Sequence, residues 1–110
     1  MKSLVADIIG HVRLYTPEEG GRCSVIPPVQ FGCPFFFEGE GFDCRLLLDQ
    51  VGSALAPGSR AEVPIKFLAP EHIKPRLRPG QHFQLWDLKT FAEGEILEVL
   101  SSEEELDRRS

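Results

Sequence analysis

Arg60-Ala61-Glu62-Val63-Pro64-Ile65-Lys66-Phe67 is the stretch that decides the fold class. Ala61, Val63, Ile65 and Phe67 alternate with Arg60, Glu62, Pro64 and Lys66. Period-two alternation sends one set into a core and the other towards solvent, which is the pattern of a half-buried β-strand. Pro64 falls on the outward set. It has no N–H to give to a ladder, so an edge position or a bulge is expected there.

The same alternation recurs on both sides of this stretch. Ile8, Gly10, Val12 and Leu14 alternate with Ile9, His11, Arg13 and Tyr15; Phe42, Cys44, Leu46 and Leu48 alternate with Asp43, Arg45, Leu47 and Asp49. Shorter strand-like runs follow at Pro34–Glu38, His82–Leu88 and Phe91–Leu100. In the last, alternation breaks at Ile96-Leu97, predicting a bulge or a strand covered on both faces. Turn signals separate the runs at Gly39-Glu40-Gly41, Ala56-Pro57-Gly58, Arg78-Pro79-Gly80 and Lys89-Thr90. About six strands with short connections and no long helical pattern indicate a sandwich or a closed barrel.

Two connections break the short-loop rule: Thr16–Cys33 and Ala69–Gly80. Loops beyond ~12–15 residues without structure of their own are usually functional or disordered. Residues 1–100 read as one domain, and residues 101–110 as a polar acidic tail with Glu103, Glu104, Glu105 and Asp107 against Arg108 and Arg109.

The 110 residues suffice for one domain and one core. Apolar residues at 42% and charged ones at 26% argue against global disorder. The net charge of −5 opposes nonspecific binding to a phosphate backbone over the whole surface. Cys23, Cys33 and Cys44 are odd in number, irregular in spacing and without a CxxC pair. They read as reduced thiols, giving the expectation of a cytoplasmic protein. The opening Met1-Lys2-Ser3-Leu4-Val5-Ala6-Asp7 reaches an acid too early for a signal peptide. No apolar run approaches the ~20 residues of a membrane-spanning helix, so no membrane partner is expected.

His11-Val12-Arg13-Leu14-Tyr15-Thr16-Pro17-Glu18-Glu19-Gly20-Gly21-Arg22 resembles the opening of the third, C-terminal β-barrel domain of elongation factor Tu. Phe31-Gly32-Cys33-Pro34-Phe35-Phe36-Phe37 is similar to that family's aromatic second strand. Pro57-Gly58, Ala69-Pro70 and Gly94 follow in matching order, so the resemblance covers about Ala6 to Leu100. It implies a closed six-stranded antiparallel barrel. In the family this domain contacts aminoacyl-tRNA, the nucleotide-exchange factor and the GTPase domain. The chain has no Gly-x-x-x-x-Gly-Lys-Ser/Thr loop, so nucleotide binding does not transfer. Arg22 matches the family's loop arginine, but Cys23 stands where a histidine is expected. Gly32 and Pro34 replace basic and amide residues, which removes donors for RNA-backbone contacts.

The candidate sites each have a structural reading beside the functional one. Glu18–Arg22 is a tight turn in which Arg22 pairs with Glu18 or Glu19, or a binding loop whose Arg22 reaches a partner carboxylate or phosphate. His72, Lys74, Arg76 and Arg78 alternate with Ile73, Pro75 and Leu77; an extended segment places all four on one side, with Lys66 nearby. They are solvated surface charge or a contact for an anionic partner. Phe31, Phe35, Phe36 and Phe37 are expected to be buried under the long loop, any exposed remainder forming an interface patch. No spacing pairs Cys23, Cys33 or Cys44 with His11, His72 or His82 as thiolate and imidazole, and none builds a metal site.

The sequence reading is therefore an all-β closed six-stranded antiparallel barrel without catalytic residues, cofactor or metal. Its expected role is a stand-alone binding or adaptor module linked to translation, with a protein partner. The alternative is a diverged tRNA- or ribosome-associated factor contacting tRNA or ribosomal RNA. The partner surface is assigned to Glu18, Arg22, His72, Lys74, Arg76 and Arg78.

Overall fold

A computed structural model describes residues 5–100; the acidic tail read at residues 101–110 lies outside the described residues. Six strands are present: β1 (Ile8–Leu14), β2 (Gln30–Phe37), β3 (Glu40–Leu47), β4 (Arg60–Phe67), β5 (His82–Asp87) and β6 (Lys89–Val99), with a single helical turn α1 (Leu48–Val51). They close into an antiparallel barrel in the order β1-β4-β3-β2-β5-β6. The alternating segments left a sandwich or a closed barrel open, and the observed architecture is the closed six-stranded antiparallel barrel.

Alternation sets the wall. In β1, Ile8, Gly10, Val12 and Leu14 are buried while Ile9, His11 and Arg13 are partly exposed. In β4, Val63, Ile65 and Phe67 are buried. Phe35 anchors the interior, edge-on to Phe67 at 4.9 Å and stacked on Phe83 at 4.4 Å. Fully burying side chains of this size contributes roughly 1.5–3 kcal/mol each. Gly10 and Gly94 make the room for Phe83: a Cβ on Gly94 would lie 2.3 Å from its ring, and one on Gly10 would lie 2.9 Å away.

Two bulges bend the wall. The β1–β6 register slips between Ile9, opposite Glu98, and Gly10, opposite Ile96, so Leu97 is the extra residue. This is the bulge anticipated at Ile96-Leu97. A second slip between Leu85 and Trp86 makes Phe91 the extra residue of β6 and leaves Phe91 and Ala92 both buried. Pro64 is at no bulge, but it lies where β4 is unpaired on its β3 side, as at a local edge. Leu14 N–H donates to Ser59 O, which sets the hydrogen-bonding phase of the β1–β4 ladder. Pro64, opposite Ile9, is out of that phase, so its nitrogen faces away from β1. On that far side the β3–β4 ladder begins only at Ile65.

Several boundaries differ from the sequence reading. The β2–β3 turn is Glu38-Gly39, both at positive φ (53° and 82°), while Glu40 and Gly41 belong to β3. The β5–β6 turn is at Leu88, φ 66°, and Lys89-Thr90 lie in β6. β3 ends at Leu47, where α1 begins. The helical turn breaks the alternation, so Leu47 and Leu48 are both buried. Phe31, Gly32 and Cys33 are strand residues of β2. Phe35 and Phe37 are buried in the barrel interior, Phe31 lies under Arg22 of the long loop, and Phe36 is half-buried on the opposite face of β2.

The two long connections close opposite ends of the barrel. The first leaves β1 beside Leu14 and is pinned by Ile26, whose N–H and O exchange 2.8 Å bonds with Leu55; both residues are buried. The second leaves β4 at the Ile8 end and inserts buried Ile73 and Leu77. Each connection thus carries its own plug.

Candidate functional site

The residues singled out from the sequence are separated. Gly20 takes the left-handed conformation (φ 92°) that ends the 3-10 turn Pro17–Glu19, and a Cβ on Gly21 would meet Tyr15 O at 2.4 Å. Glu-Gly-Gly-Arg is therefore the tight turn anticipated. Glu18 is exposed on it. Arg22 pairs with neither Glu18 nor Glu19. Its guanidinium donates to Asp87 at 2.8 Å and lies 5.3 Å from the Phe31 ring centroid and 5.9 Å from that of Phe91.

At the other end, His72, Lys74, Arg76 and Arg78 are not an extended one-sided row. The chain forms two 3-10 turns, Pro70–His72 and Lys74–Arg76, each with a proline in its first turn, and Ile73 and Leu77 are buried. Lys74 donates to Leu100 O at 2.6 Å and sits 3.5 Å from buried Asp7. Arg76 bridges Glu40 at 2.7 Å and Glu38 at 3.0 Å, over the rings of Phe37 and Phe42. His72 and Arg78 are exposed, His72 3.9 Å from Glu71. Lys66 turns to Asp7 as well.

A broad concavity lies elsewhere, on the outer wall over β1, β6, β5 and the β2–β3 turn. Its volume is about 700 Å³. One end is aromatic: Phe36 and Trp86 meet edge-on at 6.1 Å. The other end is a row across three strands, where Glu95 of β6 stands opposite both His11 of β1 and His82 of β5. Arg13, Glu93, Gln84 and Phe36 form the next row, from which the Phe36 ring reaches Trp86. Closure of the barrel places these outward side chains side by side.

The charges of the groove divide into satisfied and free. Arg13 is held by Glu19 at 2.9 and 3.3 Å and approaches Glu93 at 3.5 Å. These bonds hold Glu19 down to about 2, chiefly through the Arg13 hydrogen bond, and raise Arg13 in turn. Tyr15 donates to Glu93 at 3.1 Å; burial, then that bond, raises its phenol. Glu95 is half-buried and has no hydrogen bond or ion pair among the described residues, and Arg60 on the β4 rim is likewise free.

Other chemistry is sparse. Cys33 and Cys44 are buried and directly opposed on β2 and β3, and hydrogen bonding to Cys33, with burial, pushes the Cys44 thiol well up. That is the opposite of an activated nucleophile. Among the described residues no group of three or more His, Cys, Asp or Glu is placed to hold a metal ion, and no helix is long and apolar enough to cross a membrane.

The groove was out of reach of sequence reasoning because it depends on register. His11, Glu95 and His82 are far apart in the chain, and only the pairings of β6 with β1 and β5 align them. The one usable signal was Trp86 at an outward position. No protein-family model matches the chain, and no curated protein matches it.

Proposed function

We propose that this barrel is a non-catalytic binding module that holds a protein segment against its outer wall. The observation that carries the reading is the groove itself, with exposed Trp86 against half-buried Phe36 at one end and polar side chains along its length. Aromatic anchors beside polar rims are the usual composition of interface hot spots. A closed barrel has no free edge to extend, so a partner must be read by outward side chains and loops.

The likeness of the Glu18–Arg22 turn and the aromatic second strand to the C-terminal barrel of elongation factor Tu supports a translation-linked partner. RNA is the weaker reading. Arg22, Lys74 and Arg76 already face carboxylates of the same chain, so phosphate would have to displace those pairs.

Trp86 is the only tryptophan, so its fluorescence reports on this groove alone. A displayed hexapeptide library selected on the wild-type barrel, with Trp86→Ala as counter-target, tests the reading. The expected result is peptides that shift Trp86 emission and lose binding to W86A, whose melting temperature is unchanged. Peptides that bind both proteins equally, or no enrichment at all, would refute it.

A further inference from the structure

We infer that the groove takes an extended peptide with a basic side chain four positions from an apolar one; this rests on the groove being a protein-binding site. The spacing follows from the strands that build the wall. His82 marks the row of Glu95, and Trp86 lies four residues further along β5. Four residues of extended chain span ~13 Å, and residues i and i+4 of a strand face the same side. A bound segment running along β5 therefore sets residue i over Glu95 and residue i+4 over the Phe36–Trp86 corner. Residue i+2 meets the Glu93–Gln84 row, which Phe36 continues on β2.

The charge preference comes from Glu95. The other groove carboxylates are engaged: Glu93 by Tyr15 and Arg13, Glu38 by Arg76. Glu95 alone is half-buried and unpaired, flanked by His11 and His82. A partner guanidinium or ammonium supplies the missing counter-charge. Arg60, a groove cation with no ion pair among the described residues, stands opposite Arg13 on β4, at the row of Glu93 and outside that of Glu95, so it does not fill the role. Gln84 and Thr90 offer polar groups for the backbone of the segment, since the wall strands are already paired.

The test uses two capped pentapeptides, Ac-Arg-Thr-Ser-Thr-Leu-NH2 and Ac-Glu-Thr-Ser-Thr-Leu-NH2, titrated against the full chain with Trp86 emission as readout. The Arg peptide should saturate, and the Glu peptide should bind about tenfold more weakly. Glu95→Lys should reverse that order, and Glu95→Gln should level it. Glu95 bonds to nothing among the described residues, so both variants should melt like wild type. Equal responses to the two peptides would overturn the charge assignment and leave groove binding intact. Silence from both, while library-selected peptides still bind in a Trp86-dependent way, would overturn the motif alone. Silence from every peptide would overturn both readings. A Trp86 shift that depends only on protein concentration would give the groove to a second copy of the chain and also overturn the inference.

Discussion

Arg22 and Asp87 are joined at 2.8 Å across the end of the barrel, with the guanidinium packed against Phe31 and Phe91. The pair ties the first long connection to the end of β5. It is about a quarter exposed on the arginine side, so its charge contributes little alone, and the ring contacts add to it. Arg22→Ala should destabilise by ~1–2 kcal/mol, read by denaturant melts. Arg22→Met, which keeps the packing, should recover part of that loss. An unchanged midpoint for R22A would show that the turn is held by Gly20 and Gly21 alone.

Gly94 and Phe83 form a second coupled pair. The Gly94→Ala methyl would fall 2.3 Å from the Phe83 ring and 3.0 Å from His11 O, a backbone atom that cannot step aside. Overpacking of this kind costs about 1–3 kcal/mol or more. Phe83→Leu should cost less when G94A is already present than when it is alone, because the shorter side chain relieves the clash. Additive losses in that double-mutant cycle would mean that Gly94 is required for its backbone and not for space.

Glu19 gives the pH dependence. Its carboxyl is lowered from 4.5 to about 2 by Arg13 and by Thr16, whose N–H and hydroxyl it accepts as part of the capping box. A depressed folded value contributes stability that is fully present above about 4.5 and is lost as pH falls through about 2. Wild type should therefore melt above Glu19→Gln at neutral pH, and the gap should close on acidification through that window. A gap that stays constant down to the lowest pH would show that neutral geometry, and not charge, makes the cap.

The three thiols should separate by rate. Cys23 is exposed, whereas Cys33 and Cys44 face each other inside the wall and Cys44 is pushed up by Cys33 and by burial. In the native protein one thiol should react promptly with an aromatic disulfide reagent, and the other two only as fast as the barrel opens. Prompt reaction of a second thiol in native buffer would mean that the β2–β3 pairing breathes open locally.

What the sequence made legible follows from which patterns are local. The alternation in β1 and β4, the bulge at Leu97 and the turn at Gly20-Gly21 are each written within a few residues, so they could be read directly. The partners of Arg22, Lys74 and Arg76 could not be read, because Asp87, Asp7, Glu38 and Glu40 are brought up by closure of the barrel. The alternation of cations at 72, 74, 76 and 78 looked like a strand face. It was overridden by two 3-10 turns, each with a proline in its first turn, which still bury Ile73 and Leu77 but take the cations off a common face. The groove needed the register of four strands at once.

Asp7 is the hub of the opposite end, and its substitution separates geometry from charge. The buried carboxylate accepts the Phe67 N–H at 2.8 Å and lies 3.5 Å from the ammonium groups of both Lys66 and Lys74. Its own backbone closes the same end: Asp7 N–H donates to Ile65 O and Leu100 N–H to Asp7 O, while Lys74 reaches Leu100 O. Asp7→Asn keeps an acceptor for Phe67 and loses the charge. The two lysines are about a quarter exposed, so water compensates part of that loss, and the cost should be ~1 kcal/mol. Asp7→Leu removes the acceptor too, leaving a buried N–H and two half-buried cations unmatched, and should cost ~3 kcal/mol or more. Lys74→Met, which keeps the stem against the barrel, should fall near Asp7→Asn. Hydrogen exchange of the Phe67 amide gives the independent reading: it should accelerate in D7L and stay slow in D7N. If D7N destabilises as much as D7L, the charge holds this end closed and the hydrogen bond to Phe67 is secondary.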